Sequence, residues 1–230
     1  TFIVVARLLG PSDYGIYTLA VGIYSFIGAV GHFGIGTYFN KHISEQIYKK
    51  EPQKINEILS SGYSIILPIA TLLMLIGILS SGFISSYFKS QGLPQATVIL
   101  ASIVLFFSMI YGSLYPALVS FGHGKSVAYI LILVQLAYLF ASLVLILSGF
   151  GYNGALAGLM ISYIVGTLFC FYFLGKAMHP FGGLKFVKPS SKSLKQVMHF
   201  SLPIAANNFV NNATLNFGTI LLGIYATSVI

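Results

Sequence analysis

Five asparagines near the end of the chain carry the side chains with the clearest capacity for ligand chemistry. They are Asn207, Asn208, Asn211, Asn212 and Asn216, and their spacing of three and four residues would place them on one stripe of a helix. An amide donates and accepts hydrogen bonds, which suits it to the hydroxyl and phosphate oxygens of a polar ligand. The same stripe could instead bond to neighbouring helices. We favour a wall of a hydrated cavity, because amides facing lipid would leave their hydrogen bonds unmade.

Two cations near helix ends are the other candidate binding residues. Arg7 lies close to the end of one apolar run, and Lys41 follows the next. A long basic side chain at such a position can reach the headgroup region and anchor the helix there. It can equally contact an anion at the rim of a cavity, and both interpretations stay open for these two residues. His32, inside an apolar run, is interpreted as a packed, hydrogen-bonded residue rather than a proton carrier.

The carboxylates that most enzyme and metal sites need are scarce. The chain has four acidic residues, Asp13 and three glutamates between residues 45 and 57, so acid–base catalysis by paired carboxylates has no candidates. No Ser/His/Asp set, Cys/His set or metal cluster can be assembled. The single cysteine, Cys170, lies in an apolar run and is expected to pack there. The sequence therefore predicts a protein that is not an enzyme, with no catalytic residue, no metal and no cofactor.

Residues 149–154 match the pattern G-x-G-x-x-G, which binds dinucleotides when it joins a strand to a helix. That use also requires an acidic residue about 20 positions further on, and no Asp or Glu follows Glu57. We predict instead a tight turn between two membrane helices. Gly154 and Gly158 would then form a small-residue face for helix packing.

The elements that must position these residues are long and apolar. Hydrophobic residues make up 57% of the chain and charged residues 7%, a balance that no soluble domain of this size could bury. Five stretches reach the ~20 apolar residues that cross a bilayer, and a sixth is long enough but rich in amides. They are 14–37, 61–84, 96–118, 127–149, 154–175 and 198–222. Such runs must be helical, because lipid offers no partners to free backbone groups. Since the chain begins and ends within apolar runs, we expect it to be part of a longer protein.

The cations are concentrated in alternate connections between these runs. Ten of the twelve lie in the basic connections 39–57, 119–126 and 176–196. The nearly neutral connections are 8–13, 81–95 and 150–153. By the positive-inside rule, the basic connections are cytoplasmic. The net charge of +8 is therefore an orientation signal that also attracts anionic lipid, and we expect no nucleic-acid partner.

Residues 1–8 resemble the outer end of a first helix, which Gly10 and Pro11 would stop. The segment 39–57 carries apolar residues at four-residue spacing, which predicts an amphipathic helix on the cytoplasmic face. The segment 176–197 is rich in Gly, Pro, Ser and Lys. We interpret it as a basic cytoplasmic linker between two lobes, which assigns 1–175 to an N-terminal lobe and 198–230 to the start of a C-terminal lobe.

Several motifs resemble a known family. Residues 6–17, ARLLGPSDYGIY, are similar to the signature between helices one and two of the polysaccharide-biosynthesis flippases. Residues 33–37, followed by Lys41 and Glu45, are similar to the stretch that closes helix two in those proteins. Residues 149–158 resemble their glycine-rich turn before helix six. Residues 200–203, FSLP, resemble the start of their helix seven, so that the resemblance covers essentially the whole chain.

This family belongs to a superfamily that includes the multidrug and toxin extruders. The resemblance implies an all-α polytopic membrane bundle, of which this chain would hold one six-helix lobe of a two-lobe transporter and the start of the second. It implies a lipid-linked oligosaccharide substrate moved by alternating access across the cell membrane, with membrane lipids and glycan-assembly enzymes as candidate partners. The chain departs from the pattern at His32, where many members carry an acidic residue, and at 218–219, near which many carry an acidic–basic pair.

Other functions remain as alternatives to a flippase with Arg7, Lys41 and the five asparagines at its substrate site. A cation-coupled multidrug exporter of the same fold would need an intramembrane carboxylate to hold H⁺ or Na⁺, and these helices have none. A membrane glycosyltransferase or polymerase would need carboxylates or long external loops. A scaffold without transport activity is opposed only by the amide stripe.

Overall fold

A computed structural model describes the backbone of residues 1–49, 51, 53–122 and 124–225, and the side chains of these residues except 29, 30, 53, 209 and 212–225. Within these residues all regular structure is helical. The helices are α1 (Phe2–Gly31), α2 (Ile35–Tyr48), α3 (Gln53–Leu79), α4 (Ser81–Tyr87), α5 (Gln95–Val119), α6 (Gly124–Leu145), α7 (Gly151–Met178) and α8 (Ser191–Tyr225). The predicted all-α bundle is confirmed.

Three helical segments of the described chain are long and apolar enough to cross a membrane. They are Lys54–Leu79, Gln95–Val119 and Gly124–Phe181. The third contains both α6 and α7, joined by a single helical turn, Ile146–Phe150. These segments supply the apolar surface that lipid must cover, and the polar connections lie between them.

Several helix boundaries differ from the prediction. The run predicted over 14–37 stops at Gly31, because Phe33 and Gly34 adopt positive φ angles of 48° and 63° and break the helix. The helix predicted over 61–84 lies earlier in the chain, since α3 begins at Gln53 and ends at Leu79. The predicted break at Gly10 and Pro11 is confirmed, because α1 is kinked at Gly10, where φ is 74°.

The amphipathic helix is α2, so the predicted range of 39–57 was shifted and too long. Its buried face consists of Ile35, Tyr38, Phe39 and Ile43, at the i, i+3, i+4, i+8 spacing of one helix face. This face packs on protein, because the Phe39 ring occupies the space beside Gly62 of α3 where any larger residue would clash. The helix is therefore part of the bundle and stabilises one end of it.

Helices α6 and α7 form a tight antiparallel hairpin, which confirms the predicted turn. Gly149 and Gly151 take positive φ angles of 91° and 51° in the connection. A Cβ atom added at Gly158 would lie 2.6 Å from the Ser142 backbone nitrogen, and one at Gly154 would lie 2.9 Å from the Leu145 carbonyl carbon. The two glycines thus allow the backbones to touch, as a small-residue face does.

The predicted basic connections meet at one end of the bundle. Asn56 Nδ2 donates to the Gly183 carbonyl at 3.2 Å, which joins the start of α3 to the linker after α7. Ser44 Oγ donates to the Ser120 carbonyl at 3.4 Å, which brings in the third basic connection.

The nearly neutral connections meet at the opposite end. Thr97 Oγ1 donates to Asn153 Oδ1 at 2.9 Å, and Gly92 lies against Ile16. The two ends therefore differ in charge, and the assignment of the basic end to the cytoplasm stays a prediction.

Candidate functional site

A cavity of about 570 Å³ lies between α1, α2, α5, α7 and α8. It begins near the middle of α1 and α7 and extends toward the basic end. Its lining is Tyr24, Ser25, Gly28, His32, Gly34, Gly36, Thr37, Ser108, Tyr111, Gly112, Ser113, Pro116, Tyr163 and Asn208. Its size falls in the range of small-molecule binding sites.

Glycines fix the shape of the cavity where α1 meets α5. A Cβ atom at Gly112 would lie 2.7 Å from His32 Cε1, so the absence of a side chain there makes room for the imidazole. Gly28, one turn before His32, packs in the same way, since a Cβ atom added there would lie 3.0 Å from Leu105 Cδ1. Gly36 of α2 packs on Pro116. These contacts hold His32 in the wall of the cavity, half-buried.

Hydroxyl groups and aromatic rings form much of the cavity lining. The rings of Tyr111 and Tyr163 lie 5.8 Å apart at 33°, and they form a wall from α5 and α7. The Ser108 and Ser113 hydroxyls donate to carbonyls of their own helix at 2.7 and 2.8 Å, which leaves their oxygens as acceptors. Such a lining presents flat apolar faces and hydrogen-bonding atoms together.

Helix α8 closes one side of the cavity. A Cβ atom at Gly34 would clash with Ile204 and would lie 3.3 Å from the Ser201 carbonyl oxygen, so α8 packs directly on the α1–α2 turn. Asn208, one turn beyond Ile204, lines the cavity.

The predicted amide stripe is divided by this geometry. Asn208 is half-buried in the cavity wall, whereas Asn207 and Asn211 are exposed. The side chains of Asn212 and Asn216 lie outside the described residues.

The two predicted cations lie outside the cavity lining. Arg7 is exposed on the segment of α1 before the Gly10 kink. Lys41 projects from α2 over the Phe200 ring, with Nζ 4.8 Å from the ring centre, a cation–π contact. The structure therefore groups Lys41 with the start of α8 and separates it from both Arg7 and Asn208.

Lys41 belongs to a cationic surface at the basic end. A cavity of about 500 Å³ there is lined by His42, Lys192, Lys195, Gln196, His199 and Phe200. Burial lowers the pKa of His42, which outweighs the opposite influence of nearby Glu45. The pKa of Glu45 is itself lowered by its hydrogen bond to Lys49, at 2.6 Å. His42 is therefore a neutral residue in a positively charged neighbourhood.

The described lining of the main cavity contains no Asp, Glu, Lys or Arg. Likewise, no group of three His, Cys, Asp or Glu residues in the described chain could hold a metal ion. The cavity is consequently polar without a fixed charge from these residues, and it can recognise a ligand through hydrogen bonds and ring contacts.

Sequence reasoning missed the tyrosines and serines of the cavity. A lone Tyr or Ser in an apolar run is common, so the sequence does not distinguish Tyr111 and Tyr163 from their neighbours as site residues. A signal did exist at helical spacing. Tyr24 and Gly28 of α1 and His32, directly after it, recur every four residues, and a polar-and-small stripe of this kind marks a face turned away from lipid.

The arrangement of helices has a counterpart among solved structures. A solved structure described as the inward-facing conformation of a multidrug resistance MATE family transporter of the MOP superfamily is similar to the chain, with a TM-score of 0.64 and 18% identity. The similarity covers 96% of this chain and 52% of that one, so the chain spans about half the length of the transporter. A family described as polysaccharide biosynthesis protein matches residues 1–230, and the chain belongs to that family. No curated protein has a significantly similar sequence.

Proposed function

We propose that the protein containing this chain is a flippase that carries a lipid-linked oligosaccharide or polysaccharide precursor across the cell membrane. Membership of the polysaccharide biosynthesis family supports a saccharide substrate. The observation that carries the proposal is the lining of the main cavity, where hydroxyls, one amide and tyrosine rings surround about 570 Å³ without a fixed charge from the described residues. A sugar presents many hydroxyls and no charge, so this lining matches it.

The physical task is to move a polar headgroup through ~30 Å of hydrocarbon while its lipid chain stays in the bilayer. Ser108, Ser113, Thr37 and Asn208 replace part of the water around the headgroup through hydrogen bonds. Tyr111 and Tyr163 supply flat faces against which sugar rings pack. Alternating exposure of the cavity by rocking of two lobes, of which 1–175 is one, completes the transfer. The linker 176–197 connects this lobe to the second lobe, and residues 198–230 are the start of that second lobe.

The substrate's phosphate requires a cation that the cavity lining lacks. We assign that role to Arg7 and Lys41, which lie outside the cavity lining. The amides Asn207, Asn211, Asn212 and Asn216 on α8 would add hydrogen bonds to the headgroup. Arg7 lies on the outer side of the Gly10 kink and Lys41 at the basic end, so that the two would act at opposite stages of transfer.

A multidrug exporter is the second candidate function, because the solved transporter of similar fold is described as one. Cation-coupled exporters use a carboxylate within a helix. The four acidic residues of this chain, Asp13, Glu45, Glu51 and Glu57, all lie outside the cavity lining. This favours the flippase.

Export of a lipid-linked glycan, in a host that lacks its own flippase and carries the full-length protein, tests the proposal. Asn208→Leu should lower export about fivefold, because one buried hydrogen bond to the headgroup is lost. Gln135→Leu, which removes an amide from an exposed position on α6, is the matched control and should leave export unchanged. Equal export by the two variants would show that the cavity is not part of the transport path. Dye efflux that falls with Asn208→Leu while glycan export stays normal would favour the drug exporter.

A further inference from the structure

A second, apolar groove lies between α3, α5 and α7 toward the basic end of the bundle. Its volume is about 350 Å³, and its walls include Leu67, Phe107, Ile110, Phe171 and Leu174. Leu67 and Phe171 are 40% and 42% exposed, so the groove opens to the outside of the bundle. Since α3, α5 and α7 belong to the membrane-capable segments, that outside is the hydrocarbon of a bilayer.

The linker after α7 forms a roof over the inner end of this groove. Asn56 Oδ1 accepts a hydrogen bond from the Lys185 backbone N–H at 3.0 Å, while Asn56 Nδ2 donates to the Gly183 carbonyl. Ser60 Oγ accepts one from the Val187 N–H at 3.0 Å. Asn56 and Ser60 are themselves buried in α3. Three hydrogen bonds thus hold the linker in an extended path across α3.

This path brings a cation between two apolar side chains at the mouth of the groove. Leu184, Lys185 and Phe186 all line it, and Phe186 is 78% exposed. An apolar ring with that exposure, in the connection that follows a membrane-capable segment, is expected to lie at the lipid interface and not in water. Lys185 then stands at the headgroup level, where its ammonium meets phosphates.

The groove and the main cavity have no lining residue in common. On α5, the groove uses Phe107 and Ile110, whereas the cavity uses Ser108 and Gly112. These two pairs face different sides of α5, as a rotation of 100° per residue requires, and Tyr111 and Ser113 of the cavity lie between them.

We propose that the groove is a binding site for a resident anionic phospholipid, distinct from the transported substrate. One acyl chain fills the groove, and the lipid phosphate contacts Lys185. Apolar walls open to hydrocarbon bind a methylene chain but do not select a headgroup, so selection comes from the cation at the mouth. The occupant is a phospholipid rather than the substrate's carrier because the groove shares no lining residue with the cavity proposed to hold the substrate's headgroup.

Retention of lipid on the full-length protein, reconstituted in nanodiscs of phosphatidylcholine and phosphatidylglycerol and then measured by native mass spectrometry, tests this site. The wild type should retain one phosphatidylglycerol in preference to phosphatidylcholine with the same chains. Lys185→Gln should lower that preference about fivefold. Lys188→Gln, which removes a cation from the same linker outside the groove lining, is the matched control and should not change it.

A variant that fills the groove separates the chain contact from the charge contact. Leu67→Trp, at a partly exposed wall position, should abolish retention of both phospholipids. Equal retention of the two phospholipids by the wild type, or equal effects of the two lysine substitutions, would overturn the proposal. Displacement of phosphatidylglycerol by an equimolar polyprenyl phosphate would also overturn it and would assign the groove to the substrate's carrier chain. If Leu67→Trp does not fold, the headgroup comparison and the lysine pair still decide the outcome. Neither depends on transport activity.

Discussion

Single side chains carry the charge at the two ends of the bundle, and their surroundings differ. Arg7 is exposed on the segment before the Gly10 kink of α1, and Lys41 lies over the Phe200 ring at the basic end. His42, next to Lys41, is packed 4.5 Å from the Tyr38 ring and 5.2 Å from the Phe200 ring, measured between ring centres. A charge at Arg7 is therefore free to meet a ligand, whereas a charge at His42 is opposed by burial.

Arg7→Gln should reduce glycan export by about tenfold or more while leaving membrane insertion intact. A charge-assisted hydrogen bond to a partly desolvated phosphate contributes ~1.5–3 kcal/mol. Arg7→Lys should keep part of the activity, because the charge remains but the bidentate geometry is lost. Lys89→Gln, in the connection after α4, is the control and should have little effect. Near-normal export with Arg7→Gln would show that Arg7 is an interfacial anchor.

Acidification should destabilise the contact of α2 with α8 through His42. Because burial lowers the pKa of His42, the folded protein binds fewer protons at this residue than the unfolded chain does. Stability from this residue is therefore present above its ordinary pKa of about 6.5 and is lost as the pH falls toward the lowered value. The difference in thermal midpoint between pH 7.5 and pH 5.5 should shrink in His42→Phe. His179→Phe, at an exposed histidine, should leave that difference as in the wild type; a loss of pH dependence there would contradict the assignment.

At the scale of elements, the structure depends on glycines that let helices touch. Gly158 brings α7 onto the Ser142 backbone of α6, and Gly112 makes room for His32 beside α1. A membrane gives adjacent helices little hydrophobic drive to associate, so close backbone approach supplies much of the packing energy. The hairpin of α6 and α7 and the wall of the main cavity are built on the same device.

Gly158→Ala should destabilise the α6–α7 hairpin by about 1–3 kcal/mol. An added methyl group would lie 2.6 Å from the Ser142 nitrogen, a backbone atom that cannot move away alone, and the helices would have to separate. Gly175→Ala, on the same helix, meets nothing within 4 Å and should be neutral or slightly stabilising. Thermal unfolding of the purified full-length protein compares the two. Equal midpoints would show that the hairpin tolerates a wider spacing.

The sequence was sufficient to predict which segments are helical, but it was not sufficient to predict where each helix begins and ends. Apolar length alone identifies α5, α6 and α7, because lipid enforces helix formation. The polar turns at 53–60 and 191–197 continue α3 and α8 beyond the apolar runs because of tertiary contacts, such as those of Asn56 with the linker, that no local pattern reveals. The asparagines indicated α8 as a candidate wall of the cavity, and one of them, Asn208, lines it. The tyrosines did not stand out, because their role depends on which faces of α5 and α7 meet.

The whole molecule is polarised, with its basic connections at one end and its nearly neutral ones at the other. This separation is visible in the contacts of Asn56 with Gly183 at one end and of Thr97 with Asn153 at the other. The chain covers 52% of the solved transporter of similar fold. By the positive-inside rule, this charge asymmetry predicts that the basic end faces the cytoplasm.

Single cysteines introduced at Lys54, Lys188 and Ser90, in a background where Cys170 is replaced by alanine, should separate by side. Because the basic end is predicted to be cytoplasmic, positions 54 and 188 should be protected from an impermeant thiol reagent in intact cells, and position 90 should react. All three residues are exposed, so protection would come from the membrane and not from burial. Reaction of 54 and 90 from the same side would refute this topology.

The hydrogen-bonded linker also limits how far the start of α8 can travel. Between Met178 and Ser191 the chain is tied to α3 as far as Val187, so only residues 188–190 provide slack. Three residues extend to about 10 Å at most. Even these are partly held, because Ser190 Oγ donates to Glu57 at 3.3 Å. The linker is thus a short tether, and any swing of α8 away from α3 must pivot within about 10 Å of this anchor while the far end of the helix makes the larger excursion.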